Sequence, residues 1–251
     1  MKKIITVIIS AILLVCLVGC SGQDAVLDET KTYEITSEIH SLDIEINAAD
    51  FKIVSADEFS VESNLKYLSV SEKNGVLKIV DEAKSNSDYT NPILTLYVPN
   101  GTVFDDVDME TGATKMTVDT LSASSVELKL GAGDVRFESL NASAKVDIDG
   151  GAGQITIVSG TLNDLSLKMG MGELNLTAAV LGDSDLKFGV GESNLTLIGT
   201  KDDYKVDIEK GIGNITADGK TVTDFGSSGN GQNHIEIEGG IGTINLKFQE
   251  K

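Results

Sequence analysis

The chain has 251 residues, 39 of them acidic and 20 basic, which gives a formal net charge of -19. An acidic surface argues against nucleic acid as a partner, because phosphates bind basic surfaces, and two cysteines with two histidines leave little for a zinc or iron–sulfur site. The 41% apolar fraction suffices for a core, and 26 glycines against two prolines indicate a periodic use of glycine rather than ordinary turns.

The first residues predict a secretory signal. Two lysines precede an apolar run, Ile4–Val18, which is shorter than the roughly 20 residues that span a bilayer. The stretch Leu17–Asp24, with the letters LVGCSGQD, closely resembles the bacterial lipobox. That resemblance implies that residues 1–19 are a signal peptide and that Cys20 becomes the lipid-modified first residue. The less favoured alternative is an uncleaved N-terminal anchor.

Removal of the signal peptide makes the net charge more negative and predicts where the protein is located. Losing two lysines leaves 18 basic against 39 acidic residues, a net charge of -21, and Cys16 is discarded with the signal. Residues 20–30 are then a tether and residues 31–251 the folded domain. Because two acyl chains hold a protein on a membrane stably, we expect a lipid-anchored protein on the outer face of the cytoplasmic membrane, exposed at the cell surface.

A glycine repeat dominates the folded domain. Six Gly-x-Gly triplets recur at spacings of 20, 19, 19, 22 and 29 residues, and degenerate copies stand at Gly112-Ala113-Thr114 and Asn47-Ala48-Ala49. We expect structural corners at these glycines: Gly131 and Gly133, Gly151 and Gly153, Gly170 and Gly172, Gly189 and Gly191, Gly211 and Gly213, Gly240 and Gly242.

The residues around each triplet predict two short strands. Apolar residues recur five and three residues before the first glycine and four and six residues after it, as in Val126, Leu128, Val135 and Phe137. The middle residue of the triplet has the same parity as the first pair, so it is expected on their face. The parity changes after the corner, where glycine accepts a bulge or sharp bend. The domain is therefore predicted to be all-β.

Two architectures fit this unit. The favoured one is a single-stranded β-solenoid, or β-helix, of roughly 19–22-residue coils, because stacked coils must match in length; the alternative is an antiparallel β-sandwich with hairpin turns at the triplets. We expect an irregular start over 31–105, with a coil around Gly75, and regular coils over 106–251. The last long step predicts an insertion at 218–233, which with the loop 85–92 is the expected contact element.

Three stretches resemble one known family. Leu96–Gly101 reads LYVPNG, Val107–Ala113 reads VDMETGA, and the first complete Gly-x-Gly repeat, Gly131–Phe137, reads GAGDVRF. These resemble the DUF4097 adhesin-like family of bacterial surface proteins, over about residues 36–248. The resemblance implies a β-strand-repeat solenoid at the cell envelope, without catalytic residues to carry over. Some relatives look like partners of envelope-stress systems.

The glycine triplets do not indicate a nucleotide or calcium-roll site. A dinucleotide fingerprint requires a helix after its glycines, and the sequence predicts no helix after any triplet. A calcium nonapeptide repeat requires Asp where Ile155 and Ile244 stand. We therefore expect no cofactor and no nucleotide.

Carboxylates do recur four residues before the corners. They form a possible divalent-cation strip or, as we favour, a solvated face: Asp108, Glu127, Asp147, Asp185, Asp207 and Glu236.

Catalysis has weak support in the sequence. His40 and His234 are far apart, no serine elbow is present, and the acids are spread along rows. We expect a non-catalytic surface lipoprotein that acts as an adhesin-like binding or scaffolding module for an envelope polymer or protein. The alternatives are an accessory protein of an envelope-stress response and, less favoured, a carbohydrate-active solenoid enzyme.

Overall fold

A computed structural model describes residues 27–84, 89–209, 211–221 and 229–250. The predicted signal and Cys20 lie outside the described residues. The fold is all-β, as predicted, with a single 3-10 turn at Lys201–Asp203 in the part described. Across the same ranges, no helix has the length and apolar character that a bilayer crossing needs. The strands are β1 Leu27–Glu34, β2 Ser41–Ala56, β3 Ser60–Leu65, β4 Leu68–Lys73, β5 Val76–Asp81, β6 Ile93–Pro99, β7 Phe104–Ile157, β8 Gly160–Asn163, β9 Leu165–Leu181, β10 Asp183–Ile198, β11 Tyr204–Glu209, β12 Ile212–Ala217, β13 Lys220–Thr221, β14 Asn233–Glu238 and β15 Ile241–Gln249.

Successive repeats pair in parallel and in register. Leu186 of β10 lies beside Leu167 of β9, and Leu167 lies beside Ile148 of β7. We call each repeat a rung of this stack. The segments before and after a triplet both pair with the neighbouring rung, as Leu186 does with Leu167 before the corner and Leu195 with Leu176 after it. The triplets are therefore corners and not the hairpin turns that the sandwich alternative requires.

The predicted apolar positions form the core. The residues five and three before each corner, and four and six after it, are buried in nearly every rung, with Leu128, Leu167 and Phe137 fully enclosed. Two exceptions, Ile208 and Ala217, are only partly buried. Both belong to the rung that lies outermost in the stack, where, among the described residues, Ile208 pairs only with β14 and Ala217 is covered on its outer side only by the two-residue strand β13.

The last two repeats do not stack in chain order, and the simple succession of coils that the spacing predicted is wrong here. The final repeat, β14 and β15, lies between β10 on one side and the preceding repeat, β11 and β12, on the other. The chain runs out to the end of the stack and then returns one rung inward. The long step between Gly211 and Gly240 is the length that this return needs, not a loop inserted into a regular coil.

The N-terminal end also differs from the expected irregular coil. Residues 68–81 form an antiparallel hairpin, β4 and β5, with Asn74 and Gly75 at positive φ in its turn. The expected coil around Gly75 is therefore wrong, because an Asn-Gly pair favours a tight hairpin turn. Strand β5 then pairs in parallel with β2, and β6 covers the other half of β2, with antiparallel β3 and β1 beyond it.

Candidate functional site

Stacking explains why glycine recurs at the corners. A Cβ atom on the first glycine of a triplet would collide with the backbone carbonyl oxygen of the first triplet residue in the adjacent rung, as Gly151 would with Gly131. The second glycine of each of the six triplets has a positive φ, from 130° at Gly153 to 155° at Gly213, and faces the same kind of carbonyl. L-residues rarely adopt this conformation, so both positions require glycine.

The first corner departs from this rule for a structural reason. Asn47 replaces the first glycine in β2, which is the first rung to carry such a corner. Its side-chain amide donates to the carbonyl oxygens of Asp81 at 2.9 Å and Ala83 at 3.1 Å. The Tyr89 hydroxyl donates to the Asp81 carboxylate at 2.5 Å, and burial together with this hydrogen bond raises the pKa of Tyr89. Asn47 thus fixes the end of the stack.

The middle residues of the triplets point outward, so their expected place on the inner face is wrong. In the rungs before the last four they are small, as at Ala113, Ala132 and Ala152. In the last four rungs they are large and exposed, and we call these four the corner ridge: Met171 is 60% exposed, Val190 47%, Ile241 53% and Ile212 74%. The chain turns at the first glycine of the triplet rather than one residue later, so the middle residue faces outward instead of inward. The sequence carried the signal, since the last four triplets alone hold Met, Val and Ile.

The predicted carboxylates form one row across the strands, in an order that follows the stack. Asp185 lies beside Glu236, and Glu236 beside Asp207, because the final repeat is the inner one. In the part of the chain that the structure describes, four of the six carboxylates pair with a lysine of the same chain. The N–O distances are 2.6 Å for Lys129–Glu127, 3.5 Å for Lys145–Asp147, 3.2 Å for Lys187–Asp185 and 3.0 Å for Lys205–Asp207.

Asp108 is the member of the row with a clear electrostatic penalty. Partial burial, followed by repulsion from Glu127, raises the pKa of its carboxyl group, and Lys129 offsets part of this effect. Lys129 in turn lowers the pKa of Glu127 through their hydrogen bond. Within the described ranges, no three His, Cys, Asp or Glu side chains are arranged to hold a metal ion.

The two histidines lie apart. His234 is the second residue of β14, and its Nε2 atom is 2.6 Å from the Asp207 carboxylate and 3.4 Å from the Lys205 amine. His40 lies at the other end, where its backbone N–H donates to the Gly75 carbonyl oxygen. No catalytic pair arises from them.

A second outward row consists of amides. The Asn194 amide donates to the Asn175 side-chain oxygen at 3.1 Å, and the Asn245 amide donates to that of Asn194 at 2.9 Å. The Thr216 hydroxyl extends the row by donating to Asn245 at 2.8 Å. Four consecutive rungs thus present polar side chains at one fixed position on a flat face.

The expected contact loops are only partly described. Residues 85–88 and 222–228 lie outside the described residues. Asp218 and Gly219 form the turn between β12 and β13, and the end of the 218–233 segment already belongs to β14. Two cavities under the corners measure about 20 and 10 Å³, which is room for a water molecule and not for a substrate.

Comparisons with known proteins identify the family of this chain. A search of curated proteins finds no match. Among solved structures, a putative adhesin from Bacteroides fragilis is 12% identical, with 86% of this chain and 95% of that chain covered at a TM-score of 0.49. A putative adhesin and a putative lipid binding protein from Parabacteroides distasonis are each 17% identical; they cover 89% and 86% of this chain and 98% and 96% of their own, at TM-scores of 0.45 and 0.44. The Toastrack DUF4097 family model matches residues 30–247, and the chain therefore belongs to the Toastrack DUF4097 family.

Proposed function

We propose that the protein is a non-catalytic lipoprotein of the cell surface whose domain is a single-stranded β-solenoid that binds or scaffolds an envelope polymer or protein. The observation that carries this proposal is the registered display of side chains. The amide row and the carboxylate row each repeat one position over consecutive rungs, which suits an extended partner that contacts many rungs weakly.

The distribution of acids supports a binding role over glycoside cleavage. A glycosidase needs two carboxyl groups about 5–10 Å apart across a substrate cleft. Here the acids lie on an outward face, several of them paired with lysines of the same chain, and the two cavities under the corners in the described part are lined mainly by glycine and apolar residues.

The carboxylate row is, on this proposal, a solvated and largely neutralised face. We expect millimolar calcium to leave the melting temperature of the full chain unchanged, because the carboxylates of Glu127, Asp147 and Asp185 already form ion pairs with lysines. A rise in melting temperature that Asp185→Asn abolishes would instead support a cation strip.

Lipid attachment is proposed at Cys20, on the sequence alone, and is tested separately from binding. Cells that express the chain are labelled with a radioactive fatty acid and fractionated. We expect the fatty-acid label in the wild type and its loss in Cys20→Ser, whichever fraction the variant occupies. A labelled Cys20→Ser protein, or an unlabelled wild type, would contradict lipid attachment at Cys20.

Binding is tested with the full chain displayed in lipid vesicles against an array of envelope glycans and proteins. Two variants locate the contact: Asn175→Ser with Asn194→Ser alters the amide row, and a Gly-Ser replacement of residues 222–228 alters the proposed contact loop. A ligand whose binding one variant abolishes supports the module. Absence of specific binding to any arrayed molecule would contradict it.

A further inference from the structure

The corner ridge is the exposed apolar surface that the rows do not explain. Its four side chains are adjacent in register: Met171 beside Val190, Val190 beside Ile241, and Ile241 beside Ile212. At about 4.8 Å per rung, they form a continuous apolar edge roughly 14 Å long. Monomeric proteins seldom expose contiguous apolar patches without an interaction to cover them.

The charges beside the ridge indicate which partner fits. Two residues before the corner stand Lys168 and Lys187, and three residues after it, on the other flank, stand Glu173 and Glu192. In the next two rungs, acidic Glu238 and Glu209 lie opposite neutral Thr243 and Asn214. No ridge rung has the same charge on both flanks.

We propose that the ridge is the contact between two copies of this chain, packed corner to corner with their stacks parallel. A twofold axis along the stack places the first flank of one copy opposite the second flank of the other. Lys168 then meets Glu173 of the second copy and Lys187 meets Glu192 of the second copy, while each ridge residue faces its own equivalent. The proposal does not depend on the lipid anchor, although it places both N-terminal ends on one side.

Several contacts within the chain favour this pairing. Lys168 makes no ion pair with any residue in the described ranges, and the Glu173 and Glu192 carboxylates accept only from asparagine amides, at 2.7 and 3.3 Å. These groups can therefore pair with a second copy without breaking an ion pair of their own. Lys187 already forms ion pairs with Asp185 and Glu238, at 3.2 and 2.8 Å, so its pairing with Glu192 of the second copy stabilises the contact less than that of Lys168.

The parallel arrangement is preferred over the antiparallel one because it continues beyond the ridge. The rung of Ala132 carries Lys129 on one flank and Asp134 on the other, and small alanines let the backbones approach. An antiparallel pair would match Lys168 with Glu209 of the second copy but would leave these rungs without a partner. At the corner of Asn47, at the other end of the stack, both flanks are acidic, with Glu45 on one and Asp50 on the other. We therefore place the contact at the end of the stack that carries the ridge.

The area available predicts a weak dimer. A stable interface buries about 800 Å² on each partner, and four ridge side chains supply only part of this, with the flanking rows supplying the remainder. Such a dimer is favoured where local concentration is high, and charge pairs at its rim weaken with added salt.

The test is disulfide trapping of the full chain in bacterial membranes. Parallel packing places Met171 opposite Met171, so Met171→Cys is expected to give at least fivefold more disulfide-linked dimer after mild oxidation than Val103→Cys. Val103 is 66% exposed but lies far from the ridge. The unsubstituted chain controls for Cys16 and Cys20, and melting curves verify folding.

Charge exchange distinguishes the arrangements. In the Met171→Cys background, Lys168→Glu is expected to lower the dimer severalfold, and adding Glu173→Lys to restore it. Restoration by Glu209→Lys instead, or linkage only when Met171→Cys and Ile212→Cys chains are mixed, would overturn the parallel proposal. Equal linkage at Met171→Cys and Val103→Cys, or linkage to a different protein, would overturn the dimer. Retained linkage at Met171→Cys in a chain whose Cys20 carries no lipid would contradict the anchor alone and leave the dimer standing.

Discussion

Replacing a corner glycine by alanine tests the physical basis of the stack. Gly153 has a φ of 130°, and a Cβ there would collide with the backbone carbonyl of Gly133 in the adjacent rung. A non-glycine residue in such a conformation costs about 1–3 kcal/mol, and forcing packed backbone apart costs about 1–3 kcal/mol more. We therefore expect Gly153→Ala to lower the free energy of unfolding by about 2–6 kcal/mol.

Gly101→Ala is the matched control. Gly101 also has a positive φ, 81°, but an added Cβ meets nothing within 4 Å, so only the left-handed penalty of about 1–2 kcal/mol applies. Both variants are compared by urea denaturation and by melting, where each kcal/mol corresponds to roughly 2–4 °C. If Gly153→Ala cost no more than Gly101→Ala, close rung contact would not be the reason for glycine.

Four further substitutions probe other parts of the fold, each followed by urea denaturation. Phe137→Ala is expected to cost about 3–5 kcal/mol because the ring is fully buried, whereas Ile208→Ala on the outermost rung costs clearly less; equal costs would contradict the rung order. Asn47→Gly restores the repeat motif yet is expected to cost about 1–3 kcal/mol, because Asp81 and Ala83 lose its amide; an unchanged or raised stability would refute its capping role. Asp108→Asn is expected to stabilise by less than about 1 kcal/mol at pH 7, since the exposed site is screened. A raised folded pKa means that ionisation opposes folding, so this gain is lost as the pH falls toward 3.8; a gain that grew on acidification would contradict the sign.

The rung pattern could be predicted because it is local. Apolar parity on each side of a glycine corner places Leu128 and Phe137 in the core whatever the neighbouring rung is. The order of the last two rungs could not be predicted, because β12 and β15 have the same pattern and either could pair with β10. Only the long step from Gly211 to Gly240 hinted at the return of the chain.

The candidate surface was predicted in part. The carboxylate row follows from the same parity as the core, so Asp147 and Asp185 lie where expected. The neutralising Lys145 and Lys205 were missed because each lies two residues further from the corner than the carboxylate with which it pairs. The corner ridge was missed because parity was extended through the triplet, while the backbone turns at its first glycine, which moves Val190 from the inner face to the outer one.

Residue-resolved hydrogen exchange tests the central claim, that a registered stack carries its last repeat inside. Residues Ile241–Leu246 of β15 pair on both sides, with β10 and with β12, whereas the outer edge of β12 pairs, in the described part, only with short β13 near Thr216 and Ala217. The account predicts that the amides of Ile241–Leu246 are protected, while alternate amides of β12 before Thr216 exchange rapidly. Stacking in chain order would produce the reverse, with β15 exchanging first and β12 protected, and that result would contradict the account.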